Sequence, residues 1–341
     1  MLYIILACAL LLASYQYDYI ETKSSKKQIY LLFLFILIFI AGFRYNLGID
    51  SIRYENVYRY QVPLHKLSQD AIDDSRYGIG WMLLQSCART ISSDFSILQL
   101  IQSLYVNLII GYFIYKYSKH PFLALFLYFI FLYPEFMFEI LREACAVATY
   151  ITGWIFFKKK KWIKYYICCS IAVCFHISAI ITFLVPIAYA PGMRSIFKVN
   201  LRLCWILGLV LIVGLYLSVK LFDFFAALSL LESVQERAAT YANIDHQSGV
   251  RGASILGFIS MGLNRVIYPA IAYIFYIKNR TIDIKESHPL EIMIVFYMIF
   301  SIASFSIMIL QRFTNYFAPF VILLLSNASY LRLHIAKKNI D

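Results

Sequence analysis

Ile29-Tyr-Leu-Leu-Phe-Leu-Phe-Ile-Leu-Ile-Phe-Ile-Ala41, followed at once by Gly42-Phe-Arg44-Tyr-Asn46-Leu-Gly48-Ile-Asp50-Ser-Ile-Arg53-Tyr54, sets the terms on which the rest of the chain is read. The apolar run reads as a membrane helix. The segment after it, where such a helix leaves the bilayer, offers two guanidinium groups, an amide and a carboxylate. Gly42 and Gly48 allow a tight backbone path, and Arg44 and Arg53 can fork onto a phosphate or carboxylate as lysine cannot. An interfacial anchor, with arginine snorkelling and tyrosine in an aromatic belt, accounts for the same residues without a ligand. Both readings stand at this point.

Composition extends the membrane reading to the whole chain. Hydrophobic residues make up 61% of the 341 and charged residues 15%, with a mean hydropathy of +0.70. That excludes soluble domains and predicts an all-α polytopic membrane protein, with residues 1–341 as one integral membrane domain. Residues 1–14 are apolar but have no basic segment before them, so they read as a retained first span rather than a cleaved signal peptide. The net charge of +12 is assigned to sides of a membrane, and nucleic acid is not an expected partner. Cys168 and Cys169 are adjacent, and the other cysteines are scattered through apolar stretches, so the cysteines read as small core residues rather than a metal or disulfide framework.

Spans are expected near 1–16, 28–44, 95–115, 121–139, 143–157, 203–222, 255–277, 289–310 and 313–331. Tyr77–Ile91 is short for a crossing and carries Gly78 and Gly80, so it reads as re-entrant or interfacial. Trp162–Ala190 is too long for one span and short for two. Charge settles that case. Lysines cluster at Lys23, Lys26 and Lys27, at Lys116 and Lys119, at Lys158–Lys161 with Lys164, and at Lys337 and Lys338. The positive-inside rule makes these cytoplasmic, and a hairpin with His176 at its outer tip keeps the later basic residues on the same side. The expected topology has about eleven crossings, N-terminus outside and C-terminus cytoplasmic. Residues 44–77 and 223–254 become external loops, the second containing an amphipathic stretch, Leu228–Tyr241.

This topology places lysine inside and gathers arginine outside or within the membrane, which calls for an anionic ligand. Arg142, Arg265 and Arg312 lie at or inside apolar helices, where an arginine must line a polar cavity or pair with an acid. Glu139, Arg142 and Glu143 stand three and four apart, on one side of an expected helix. There a carboxylate partly buried beside a cation suits general-base work, and a helix-end salt bridge is the structural alternative. His176 is either a hydrogen-bonded packing residue or an acid or base at the hairpin tip. Arg312, with Thr314, Asn315 and Tyr316 after it, repeats the pattern of a lone arginine between apolar helices.

Taken in order, Gly42–Asp50 with Tyr54, then Leu141-Arg142-Glu143-Ala144-Cys145-Ala146, then Phe175-His176-Ile177-Ser178-Ala179, then Arg312–Tyr316 resemble the EpsG family. These are bacterial multi-span proteins of exopolysaccharide, capsule and O-antigen clusters, similar to the Wzy repeat-unit polymerases. Two positions depart from the family pattern: Glu143 stands where a neutral residue is common, and Arg76 stands where a glutamate often precedes the Tyr77-Gly78 segment.

The resemblance implies a GT-C-like glycosyltransferase fold in the bacterial inner membrane. It implies polymerisation of oligosaccharide units carried on undecaprenyl diphosphate, with membrane lipid and a chain-length regulator protein as partners. The implied site takes the diphosphate and substrate on Arg44, Asn46, Asp50, Arg142, Arg265, Arg312 and Tyr316. Glu143, His176 and Glu139 are the candidate bases. No metal or cofactor is expected, because no Asp-x-Asp pair presents itself. A lipid-linked oligosaccharide flippase, a ligase and an O-acyltransferase are the competing readings. A transporter would place charge near the midplane and show related halves, neither of which the sequence does.

Overall fold

Proline, glycine and lysine punctuate the apolar runs, and between them the chain is helical. The computed structural model describes residues 1–20, 25–68 apart from 46 and 49, 77–188, 284–306 and 310–338, with isolated residues between 267 and 274. Among these there is no strand. The chain divides into two compact units, Met1–Val185 with Ile322–Asp341, and Pro186–Val321.

The first unit contains α1 (Leu2–Ser14), continued by a wider π-turn over Tyr15–Ile20, then α2 (Lys26–Gly42), α3 (Ser51–Tyr60), α4 (Ile79–Ile91), α5 (Phe95–Tyr117), α6 (Pro121–Phe131), α7 (Leu141–Lys158) and α8 (Trp162–Phe175). Local chemistry sets several starts. Asp94 caps α5 by accepting from the Ser96 N–H at 2.9 Å, and Pro121 opens α6 where its missing N–H costs nothing. Small residues let helices close on one another. A Cβ on Gly42 would lie 2.8 Å from Leu100 Cδ1, and one on Gly111 would lie 2.6 Å from Leu34 Cδ1. The Tyr30 hydroxyl donates to the Gly111 carbonyl at 2.9 Å. These contacts lay α2 and α5 antiparallel. Gly153 does the same for α7 against Cys168 on α8.

Antiparallel packing sorts charge to the two ends of this unit. At one end Lys26 pairs with Asp18 at 3.2 Å, and Lys158 lies 4.8 Å from the Tyr117 ring. At the other end are Arg44, just past α2, and Arg142, at the start of α7. The second unit contains α9 (Ile284–Ser306) and the first part of α10 (Gln311–Lys338). They are locked by Phe296 stacked on Phe317 at 5.3 Å and Phe300 edge-on to Phe313 at 5.3 Å. The residues of α10 from Ile322 onward belong to the first unit, where Asn327 accepts from the Lys119 N–H at 2.7 Å.

Three stretches differ from the sequence expectation. Residues 121–139 are not one helix: α6 ends at Phe131, and after Pro134 the chain resumes as a π-turn over Glu135–Glu139, closed by the Ile140 N–H on the Glu135 carbonyl at 3.0 Å. Proline cannot donate to the α-helical ladder, and it ends that ladder here. Trp162–Ala188 does reverse at His176, with the Tyr165 hydroxyl bonded to the Thr182 carbonyl. Its turn is not at the end of the unit that carries Arg44, however. Phe175 meets Tyr105 at 6.0 Å, ten residues along α5 from Phe95, and the 14 residues of α8 span about 20 Å, short of the ~30 Å hydrocarbon layer.

The third difference concerns length. Among the described residues, two helical segments are long and apolar enough to cross a membrane, Leu2–Ile20 and Phe95–Tyr117, and four shorter apolar helices accompany them, Pro121–Phe131, Trp162–Phe175, Ile177–Ala188 and Ile292–Ser301. The expected spans 203–222 and 255–277 and the loop 223–254 lie outside the described residues, as do Asn46 and Arg265.

Candidate functional site

Helix α2 ends when the Phe43 N–H closes on the Phe39 carbonyl at 2.9 Å, and the chain turns so that Arg44 folds back into the unit. Its Nη1 donates to the Ala41 carbonyl at 2.5 Å, and its guanidinium faces the Phe138 ring at 5.4 Å. Only 6% of Arg44 is exposed. Its Nε and Nη2 have no hydrogen-bond partner, and no carboxylate pairs with it among the described residues. Burial pushes its pKa down to about 10, so it remains a cation at neutral pH. Gly48 holds the loop in place. It adopts φ +101°, and its Cα rests on the Phe138 carbonyl, where a Cβ would collide. Asp50 occupies the N-cap of α3, and its carbonyl accepts from the Tyr54 N–H at 3.0 Å.

Arg142 stands in the first turn of α7. Its Nε donates a long hydrogen bond to the Tyr54 hydroxyl at 3.4 Å, and its guanidinium lies over the Tyr77 ring at 4.5 Å. Burial pushes the Tyr54 phenol up and Arg142 pulls it partly back, so Tyr54 stays neutral. The Tyr54 ring meets Trp81 edge-on at 5.7 Å. Trp81 and Gln85, one turn apart on α4, are fully buried. The Trp81 Nε1 and both amide atoms of Gln85 have no partner among the described residues.

Glu143 is buried in the first turn of α7, where the helix N-terminus favours a carboxylate. The expected shared helix face of Glu139, Arg142 and Glu143 is not present. Glu139 ends the π-turn, Ile140 breaks the backbone at φ −108°, ψ 48°, and α7 begins only at Leu141.

His176 is buried at the chain reversal. Its Nδ1 lies 2.6 Å from the Ser178 Oγ and accepts from the Ser178 N–H at 3.3 Å, capping the 3-10 turn Ile177–Leu184. With Nδ1 accepting, the neutral ring carries its proton on Nε2. These contacts give His176 a structural part in the turn. Gly78 and Gly80 bring the start of α4 onto the backbone of Cys174 and Phe175, beside His176. Tyr77, which stacks on Arg142, directly precedes this contact. Arg142, Tyr54, Tyr77 and the His176 turn thus form one connected group, and Arg44 and Gly48 meet at Phe138, four residues before Arg142 in the chain.

Arg312 is exposed at the start of α10, and Tyr316, four residues on, is fully buried. Both belong to the second unit. Sequence reasoning did not single out Tyr3, Tyr77, Trp81, Gln85 or Phe138. Trp81 and Gln85 at helical spacing after Gly78-x-Gly80 were a usable signal for a buried polar face. Among the described residues no group of three or more His, Cys, Asp or Glu is placed to hold a metal ion.

The larger unit of this helical protein thus carries Lys26 and Lys158 at one end and the buried Arg44 and stacked Arg142 at the other. The chain belongs to the EpsG family, whose model matches residues 27–340, nearly its whole length. No curated protein and no solved structure matches it.

Proposed function

We propose that this chain is a polysaccharide polymerase that joins oligosaccharide units carried on undecaprenyl diphosphate, at the outer face of a bacterial inner membrane. The observation that carries the reading, beside family membership, is that Arg44 and Arg142 occupy the same end of one helical unit, opposite its lysines. The lysine end is then cytoplasmic and the arginine end outer, with about eleven crossings, N-terminus out, C-terminus in and a GT-C-like architecture.

In the reaction the hydroxyl oxygen of an acceptor unit bonds to the anomeric carbon of the donor, and the bond from that carbon to the diphosphate oxygen breaks. The leaving lipid diphosphate gains charge as it departs. Fixed guanidinium groups stabilise that charge in the transition state more than in the ground state. Arg142, oriented by Tyr54 and Tyr77, faces the leaving group, and Arg44 adds positive charge without a metal. The acceptor proton passes to a carboxylate, Glu143 first and Glu139 as its alternative. His176 holds the turn that carries the floor of the site. Asn46 and Asp50 contact the glycan, and a chain-length regulator sets when it is released.

The test is surface glycan length in the producing bacterium after deletion, with complementation by wild type and Arg142→Ala. Single repeat units in place of long chains, unrestored by a folded Arg142→Ala protein, are the expected result. Loss of all surface glycan with cytoplasmic accumulation of lipid-linked units makes the chain a flippase, and unchanged length with lost acyl groups makes it a modifying enzyme.

A further inference from the structure

Phe138 has a second neighbour besides Arg44. The ring of Tyr3, at the start of α1, stacks on Phe129 at 5.8 Å and stands edge-on to Phe138 at 6.1 Å, while Arg44 lies on the same Phe138 ring at 5.4 Å. The Tyr3 hydroxyl is buried and has no hydrogen-bond partner among the described residues, like Arg44 Nε and Nη2. The Tyr3 hydroxyl and the Arg44 guanidinium are close enough to interact electrostatically, as are Arg44 and Tyr133. Tyr133 is already committed, its hydroxyl donating to the Leu37 carbonyl at 2.5 Å.

Three buried polar atoms with hydrogens to give, one set carrying a full positive charge, therefore collect around one aromatic ring without an acceptor or a counter-ion among the described residues. A packed interior rarely tolerates this, and one anion satisfies all three. The guanidinium edge formed by Nε and Nη2 is the one that binds two oxygens of a phosphate together. The approach is apolar: Phe43, next to Arg44, and Phe39 stack at 5.8 Å and stay more than half exposed. A phosphate that arrives on a lipid suits that approach better than one free in water.

We propose that Tyr3 and Arg44 form a phosphoryl-binding subsite for a lipid-borne phosphate, adjoining the Arg142 centre. The proposal rests on the polymerase reading only for the identity of the lipid. Within that reading the subsite holds the phosphate nearer the polyprenyl chain, and Arg142 meets the one bonded to sugar. Tyr3 is then a binding residue contributed by the first helix. The site also becomes bipartite, which lets the lipid carrier stay seated while the glycosidic bond is exchanged.

The experiment uses the full-length chain in lipid nanodiscs and a sugar-free probe, a polyprenyl phosphate, with inorganic pyrophosphate and phosphatidylglycerol as competitors. Tyr3→Phe keeps the ring and its stacking and removes only the hydroxyl. It is expected to weaken probe binding about tenfold, the scale of one hydrogen bond to a charged group, and Arg44→Met at least as much. Tyr15→Phe, at the other end of the unit, is expected to bind as wild type. Competition by phosphatidylglycerol as strong as by the probe assigns the subsite to bilayer lipids in general. Competition by pyrophosphate alone assigns it to free phosphates. Both outcomes keep the subsite, provided that Tyr3→Phe weakens that ligand too. Wild-type affinity of both Tyr3→Phe and Arg44→Met for all three ligands overturns the proposal. Because the probe carries no sugar, the result is independent of glycan length: a chain that makes no polymer but binds in a Tyr3-dependent way keeps the subsite and loses the polymerase reading.

Discussion

Arg44 is a cation kept where the fold would be better without it. A buried donor left without an acceptor costs about 1–3 kcal/mol, and Arg44 leaves two, with no neutralising charge among the described residues. Arg44→Met is therefore expected to raise the thermal unfolding midpoint by a few degrees in detergent while abolishing phosphate binding. An unchanged or lowered midpoint removes the claim that Arg44 is held at a cost. The linkage has a definite sign. Burial lowers the pKa of Arg44 from its ordinary value to about 10 in the fold, so above that pH the unfolded state holds the extra proton. The penalty is fully present at neutral pH and is relieved only as pH rises above about 10.

His176 allows a second separation of roles. Asparagine caps as well as histidine does here but transfers no proton, so His176→Asn is expected to unfold like wild type and to support long glycans. His176→Ala is expected to lose about 1 kcal/mol of stability. A folded His176→Asn protein that makes no polymer would instead put His176 in proton transfer. At this scale the sequence was partly legible. Arg44 and Arg142 announced themselves as charges flanking apolar runs. Gln85 and Tyr3 did not, because an amide or a phenol inside an apolar helix is ordinary until its partners are seen to be missing.

Among the elements, the loop from Arg44 to Asp50 depends on one residue. Gly48 combines a left-handed backbone with contact against the Phe138 carbonyl, so any side chain meets both a conformational and a steric barrier. Gly48→Ala is expected to leave the protein in the membrane at normal levels but to displace the loop, with at least a tenfold drop in phosphate binding and shortened glycans. Normal glycan length in that variant would show that the loop need not rest on Phe138. The long helices were legible because their apolar runs are continuous: α2, α5 and α7 lie where those runs predict. The break at Leu132–Pro134 was not, since apolar residues flank it on both sides and hydropathy does not register a missing N–H. The same blindness put Glu139 on the face of a helix that in fact starts after it. The depth of the His176 turn was hidden too, because it is fixed by Phe175 meeting Tyr105 and not by any local pattern.

For the molecule as a whole, the separation of Lys26, Lys116 and Lys158–Lys161 from Arg44 and Arg142 is the feature on which function and topology both turn. In the proposed topology these lysines lie at the cytoplasmic surface and need no ligand, because they set orientation during insertion. Arginines at the opposite end gain nothing from that rule, and an anionic ligand is what the proposed function supplies to their buried or stacked positions. The two ends can be told apart directly in a background with its native cysteines replaced. Tyr60→Cys on α3, at the arginine end, and Lys159→Cys, in the turn between α7 and α8, are both on exposed residues. A membrane-impermeant maleimide applied to spheroplasts is expected to label Tyr60→Cys at once and Lys159→Cys only after permeabilisation. The reverse pattern would set Arg44 and Arg142 on the cytoplasmic side, where lipid-linked units are built rather than polymerised, and would turn the anion site into one for assembling or loading the carrier.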